Sequence, residues 1–252
     1  MRIRSALVVY SFPGCPTLKQ IAKVLQERGI RSRYIYRTKT TKKMFNADLV
    51  ITEGGDGTFL RATHFAKDTP ILSVNCDREK NEGFYSRADR FNFQERIDRM
   101  LAGTHKITNL WRLEATIDKR KILELAVNEI FIGDRNVHHT AKYWLFGELQ
   151  KSSGVIVAAP AGTNAWYKSA GGKPIPITEK KFGYIVREPY RGRLYNPKKL
   201  QGVLTQKDKL TVHSGMHDGM LVIDGVSKEY KFDAGSKATI RLSRRPLHFV
   251  EF

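Results

Sequence analysis

Two rhythms of apolar and polar positions divide the chain. Up to residue 103, short apolar runs alternate with stretches of helical spacing. The run SALVVYS (5–11) predicts a buried strand. TLKQIAKVLQERGI (17–30), apolar at 18, 21, 22, 24 and 25 and closing on Gly29, predicts an amphipathic helix. RYIYR (33–37), ADLVITE (47–53) and PILSVN (70–75) predict further strands. A helix is expected from 58 to 66 with Thr58 as its N-cap, and a second amphipathic helix over 91–103 closes on Gly103. Strands alternating with helices imply a Rossmann-like α/β domain with a parallel sheet covered on its faces. Past residue 104 the helical spacing nearly vanishes. HKITNLWRLEATID, ILELAVNEIFIG, AKYWLFGEL, SGVIVAAP, KLTVHS, GMLVIDG, KEYKFD and KATIRLS are strand-like runs, so a β-rich domain follows, with the boundary at 100–106.

Composition narrows the function only a little. The 252 residues suffice for one large domain or two small ones, and 44 Lys and Arg against 25 Asp and Glu give a net charge of +19. That excess suits an anionic partner, whether nucleic acid, an acidic membrane or phosphorylated small molecules, without choosing among them. Cys15 and Cys76 are the only cysteines, too few for a disulfide framework and without a CxxC pair for zinc. A reducing, intracellular compartment fits this usage, and a cytoplasmic protein is expected. No apolar run approaches the ~18 residues of a membrane helix. The opening MRIRSALVVYSFPGC loosely imitates a signal sequence but reads better as a first buried strand.

The segment EGGDGT (53–58) carries the first candidate chemistry. Glycines between a strand and a helix let backbone N–H groups close on an anion at a helix N-terminus. Neither G-x-G-x-x-G nor a P-loop is present. Asp56 is the anomaly, because a carboxylate opposes anion binding unless it holds a metal or accepts a proton from an attacking hydroxyl. The bland alternative is an Asp-Gly turn. Downstream, ELAVNEIFI (124–132) places Asn128 and Glu129 in a buried strand, where such a pair needs polar partners; vicinal ribose hydroxyls would satisfy it. SSGVIVAAPAGTNAWYKSAGG (152–172) reads as a strand, a turn at Gly162-Thr163 and a short helix carrying Trp166 and Ser169.

GGDGT resembles the signature shared by diacylglycerol, sphingosine, NAD and 6-phosphofructo kinases. With Asn128-Glu129, the 152–172 segment and the VIDG turn (222–225), the chain resembles the NAD kinases over most of 48–240. The resemblance implies an NAD kinase/diacylglycerol kinase-like fold: an α/β domain (1–103), a β-rich dinucleotide-binding domain (104–235) and a segment (236–252) returning to the first domain. It implies transfer of a phosphoryl group from ATP or polyphosphate, with Mg²⁺, to the 2′-hydroxyl of the adenosine ribose of NAD. Asp56 would be the catalytic base. Gly54, Gly55, Gly57 and Thr58 would form the donor phosphate loop. Asn128, Glu129, Phe84, Ser153, Thr163, Asn164, Ala165, Trp166 and Ser169 would bind NAD. No protein side chain is singled out as a metal ligand. A homodimer or homotetramer is implied, with no membrane partner and at most nonspecific contact with nucleic acid.

The chain departs from the family pattern at three places. Ser152-Ser153-Gly154 replaces Gly-Asp-Gly, Trp166 replaces tyrosine, and VNCDREKNEGF (74–84) lengthens a loop. Together these resemble the mitochondrial eukaryotic type of NAD kinase and its prokaryotic relatives, and the loss of the aspartate bears on the choice between NAD and NADH. The competing readings are a lipid kinase of the same superfamily and a catalytically weak NAD(P)-binding regulator. His138-His139 is read as a solvated turn, since no third metal ligand stands at a useful spacing.

Overall fold

The computed structural model describes residues 3–225 and 229–252, so Lys228, which opens the strand-like run 228–233, lies outside the described residues. The chain forms two compact units, Met1–Asn109 with Leu247–Phe252, and Leu110–Pro246. Among the described residues no helix is long and apolar enough to cross a membrane.

The first unit contains β1 (Ser5–Tyr10), α1 (Pro16–Glu27), β2 (Arg31–Tyr36), β3 (Leu49–Glu53), α2 (Asp56–Thr63), β4 (Ile71–Asn75), β5 (Ala88–Asp89), α3 (Phe93–Ala102) and β6 (Lys106–Leu110). Its seven-stranded sheet, among the described residues, runs β2-β1-β3-β4, then the terminal strand Leu247–Glu251, then β6, with β5 beside β4. β1 lies parallel to β2 and β3, and β3 is parallel to β4. Every residue of β3 and β4 is buried, as expected of parallel strands covered on both faces. α1 contributes Ile21, Val24 and Leu25 to the core, and α3 contributes Phe93, Ile97 and Met100. Full burial of each such side chain stabilises by roughly 1.5–3 kcal/mol. A forked Arg28–Asp98 pair at 2.7 and 2.9 Å ties α1 to α3. The carboxyl ends of β1, β3 and β4 share one edge of the sheet, where open α/β sheets hold their ligands.

The second unit contains β7 (Leu113–Ile117), β8 (Arg120–Lys121), β9 (Glu129–Asp134), β10 (Ala141–Leu145), β11 (Glu148–Ser152), β12 (Val155–Ala158), α4 (Trp166–Ser169), β13 (Lys181–Val186), β14 (Gln201–Thr205), β15 (Leu210–Ser214), β16 (Gly219–Ile223), β17 (Tyr230–Lys231) and β18 (Lys237–Leu242). Among the described residues these make two six-stranded sheets, β11-β10-β15-β18-β7-β8 and β14-β13-β12-β9-β16-β17. Alternate residues of both sheets, among them Tyr143, Leu145, Val212, Ile240, Ile130, Val157 and Phe182, share one core. The opposite face of the second sheet is apolar too, with Phe131, Ile156, Ala158 and Ile185 packed against Tyr167.

Three expectations need correction. The run at 104–117 is two strands of different sheets: β6 belongs to the parallel sheet and β7 to the second unit, which begins at Leu110. β18, inside the segment 236–252, pairs with β7 and β15, so only Leu247–Phe252 belongs to the first unit. Alternating strand patterns say nothing about pairing partners; here buried Arg112 fastens the turn before the last strand, donating to the carbonyls of Arg245 and Pro246 at 3.1 Å. Finally, Gly55 rather than Thr58 is the N-cap of α2, without a side-chain cap bond. The helix starts two residues early, at Asp56, and Thr58 is buried inside its first turn.

Candidate active site

In the first unit the glycine loop joins β3 directly to α2. Gly54 has φ +146°, and a Cβ there would lie 2.6 Å from Thr58 Oγ1 and 2.8 Å from Ser11 Oγ. A Cβ on Gly55 would meet Asn81 Oδ1 at 2.6 Å. These two glycines are required by close packing behind the loop. Gly57 is different: a Cβ there would meet nothing within 4 Å. The open approach to the helix N-terminus therefore lies at Gly57, while the next N–H, that of Thr58, already donates to Gly55 O at 3.0 Å. Thr58 is fully buried and its Oγ1 has no hydrogen-bond partner, so its hydroxyl faces the packing behind the loop.

Asp56 opens α2 half-buried. Its Oδ2 accepts the Phe84 N–H and its Oδ1 accepts the Tyr85 N–H, both at 3.0 Å. The carboxylate thus pins the loop after β4 across the start of α2, and its helix-N-terminal position suits a negative charge. Phe84, largely exposed, meets Tyr85 edge-on at 4.9 Å, and Tyr85 stacks on Phe59 at 4.3 Å.

In the second unit Asn128 and Glu129 are positioned by a residue that the sequence reading left unassigned. Asp224, with φ +52°, accepts the N–H groups of Val127, Asn128 and Glu129 at 3.0, 2.8 and 3.0 Å. Its own N–H donates to Glu129 O at 2.9 Å, which locks the start of β9 to the end of β16. Glu129 is only 6% exposed, and its Oε2 has no hydrogen-bond partner. Burial, and then the nearby charge of Asp224, raise its pKa to about 8. At neutral pH this carboxyl keeps its proton and can both donate and accept.

The turn after β12 packs directly on this pair. Ala159 N–H donates to Asn128 O at 2.8 Å, and a Cβ on Gly162 would lie 1.9 Å from that same oxygen. Only glycine allows so close an approach. Thr163 is fully buried, donating to Pro160 O at 2.6 Å and accepting the Ile175 N–H at 2.8 Å; it holds the turn's shape. Asn164 and Ala165 are half-buried in the turn, and Ser169 is exposed on α4.

A pocket of ≈ 410 Å³ opens on the outer face of the second sheet. Phe131, Met220 and Val222 line it, their strand neighbours Ile130, Leu221 and Ile223 pointing into the core. Trp166 packs on Phe131 at 5.0 Å between ring centroids, and the Arg187 guanidinium lies 4.8 Å from the Trp166 ring centroid. Ser153, Asp134 and His139 also line the pocket, with His139 Nδ1 3.5 Å from Asp134 Oδ1. Ser153 and Trp166 thus come together, as do Asn128 and Glu129. The sequence reading missed Asp224, Phe131 and Arg187. Of these only Asp224 carried a local signal, the Asp-Gly pair of VIDG. His139, read as a solvated turn, is exposed and also reaches this pocket. An apolar floor with a few polar groups at the rim suits a flat heterocycle with polar substituents.

Comparisons with known proteins follow this geometry. Residues 15–105 match the family model described as ATP-NAD kinase N-terminal domain. An NAD kinase of Clostridium perfringens is 34% identical over 222 residues, covering 84% of this chain and 77% of the relative. A probable NADH kinase of rice, Oryza sativa subsp. japonica, is 28% identical over 235 residues, covering 83% of this chain and 72% of the relative. Among solved structures, an NAD kinase from Archaeoglobus fulgidus in complex with ATP superposes with a TM-score of 0.80 at 24% identity, covering 97% of this chain and 92% of that one.

Proposed function

The chain belongs to the NAD kinase family, and from that premise we propose that it transfers the terminal phosphoryl group of ATP to the 2′-hydroxyl of the adenosine ribose of NAD or NADH. The observation that carries this reading is Glu129, a buried carboxyl with an unpartnered Oε2, held beside Asn128 by three backbone bonds to Asp224. A neutral carboxyl that donates and accepts is matched to a vicinal diol, and it adds no charge against the substrate's phosphates. Asp56 orients the attacking hydroxyl and accepts its proton as the general base. The donor phosphates lie at the open side of Gly57, where helix N–H groups meet no steric barrier. Gly54, Gly55 and Thr58 shape the loop from behind. Asn164, Ala165 and Trp166 supply apolar and polar surface for the dinucleotide, Thr163 holds their turn, and Ser169 lies at its edge.

Mg²⁺ would enter with the nucleotide. Among the described residues the three-ligand cluster that could grip a cation lies at Cys15, Glu53 and Cys76 and does not include Asp56. Mg²⁺ characteristically keeps several waters and binds through substrate phosphates with one or two carboxylates, and Asp56 would be the carboxylate that holds it. When bound, the ion neutralises charge on the phosphates.

We further propose that NADH is accepted at least as well as NAD. An aspartate at position 153 would favour the cationic nicotinamide ring of NAD; Ser153 removes that preference, and Arg187 beside Trp166 adds positive charge. The rice relative bears the name "Probable NADH kinase". We also propose a homodimer or homotetramer, which sedimentation velocity would test; a single species at monomer mass would overturn it. The decisive assay follows NADP and NADPH formation by the purified protein with Mg²⁺, offering ATP or polyphosphate against NAD or NADH. Product from ATP with both acceptors is expected, and no product from either would overturn the reading.

A further inference from the structure

The two cysteines stand 61 residues apart in sequence, yet they converge on Glu53. Cys15 is the N-cap of α1, Glu53 is the last residue of β3 and Cys76 directly follows β4. Because β1, β3 and β4 are adjacent and parallel, the chain segments leaving their carboxyl ends meet at one place. One ligand atom from each of Cys15, Glu53 and Cys76 lies within 4.8 Å of the other two.

Glu53 is fully buried. Its Oε2 accepts the Ser11 N–H at 3.2 Å and the Ser11 hydroxyl at 3.5 Å, while its Oε1 is buried with no hydrogen-bond partner. No Lys, Arg or His pairs with it among the described residues. A buried carboxyl group is normally hydrogen-bonded, paired with a cation or bound to a metal, because burial strips it of water. A carboxyl oxygen of Glu53 lies within 4.8 Å of both thiol sulfurs. Cys15 is 7% exposed, and Cys76 is half-buried, its Sγ accepting from Asn81 Nδ2 at 3.5 Å. Burial first, and Glu53 after it, push both thiols above their ordinary pKa. A divalent cation reverses that order, because it stabilises thiolate directly.

We propose that Cys15, Glu53 and Cys76 form a binding site for one thiophilic divalent cation of the Zn²⁺ class. Two thiolates and a carboxylate are a soft, borderline donor set that suits zinc and disfavours magnesium. Tetrahedral zinc, with Zn–S near 2.3 Å, needs its sulfurs about 3.8 Å apart, which lies inside the 4.8 Å spread of these ligand atoms. A fourth position remains for water on the half-exposed Cys76 side. Binding takes up M²⁺ and releases both thiol protons to solvent, so no electrons move. The cation would join α1, β3 and β4 immediately before Gly54, and thereby brace the glycine loop.

The test uses the full chain, stripped of metal by chelation under a phosphine reductant and titrated with Co²⁺. One equivalent is expected to produce thiolate-to-cobalt charge transfer and the visible bands of tetrahedral cobalt, and one equivalent of Zn²⁺ should abolish them. Two protons per metal should be released in weakly buffered solution, and Zn²⁺ should raise the melting temperature. Cys15→Ser and Glu53→Gln should each weaken binding at least ~100-fold, beyond the usual cost of outer-shell changes. The cobalt spectrum of the parent protein decides the matter even if a variant fails to fold. No charge-transfer band would overturn the proposal. So would a band that survives in Cys15→Ser/Cys76→Ser, or a freshly purified chain two hydrogens light, which would mean the thiols pair as a disulfide.

Discussion

Asp56 and Glu129 are two carboxyl groups placed in opposite environments. Asp56 is half-exposed at a helix start and accepts two backbone N–H groups. Asp56→Asn keeps the size and one acceptor oxygen, so the fold should survive with a loss of about 1–3 kcal/mol from the weakened charged hydrogen bonds. Turnover should fall at least ~100-fold, the usual scale for removing a general base, while dinucleotide affinity is retained. Near-normal turnover would exclude Asp56 from the chemistry. Glu129 makes a pH prediction. Its pKa rises from 4.5 in the unfolded chain to about 8 in the fold. Between those values the unfolded chain has released a proton that the folded one keeps. Its contribution to stability is therefore fully present below pH 4.5, is lost as pH rises towards 8, and then levels off. The limiting slope is about 1.4 kcal/mol per pH unit for one group. Denaturant unfolding of the parent and of Glu129→Gln across pH 5–8 should show the parent losing ground steadily; parallel curves would contradict the assignment.

At the scale of elements, the glycines divide by what surrounds them. Gly57→Ala adds a methyl into open space at the start of α2, where alanine is the better helix former by up to ~1 kcal/mol. Its melting temperature should hold or rise, while KM for ATP rises on the order of tenfold, equivalent to about 1.4 kcal/mol. An unchanged KM would move the donor phosphates away from Gly57. Gly162→Ala does the reverse, forcing a methyl against Asn128 O, which is already bonded to Ala159 N–H. It should destabilise the chain by about 2–3 kcal/mol in chemical denaturation, as overpacking does. A neutral result there would show that the turn after β12 gives way more easily than its packing implies.

For the whole molecule, the +19 charge acts through long-range fields. It should draw polyanionic substrates and also cause sequence-independent adhesion to DNA, with log K falling linearly against log salt. Salt-resistant binding to one sequence would instead mark a dedicated nucleic-acid site. Much of the architecture was legible along the chain, because hydrophobic spacing is set locally by the geometry of helices and strands. That spacing alone determined the α/β first half, the β-rich second half and the placement of the glycine loop between β3 and α2. It also marked Asp56, Asn128 and Glu129 as polar groups in positions that demanded a reason. Tertiary structure alone decided what those residues touch. Strand pairing moved the unit boundaries to Asn109/Leu110 and Pro246/Leu247, and the early start of α2 turned Thr58 inward. It brought Asp224 to the start of β9, set Arg187 over Trp166, and gathered Cys15, Glu53 and Cys76 at one edge of the sheet. The physical reason is common to all of these. Which strands neighbour one another, and in which register, is settled by burial summed over the whole core, and side chains far apart in sequence meet only as its consequence.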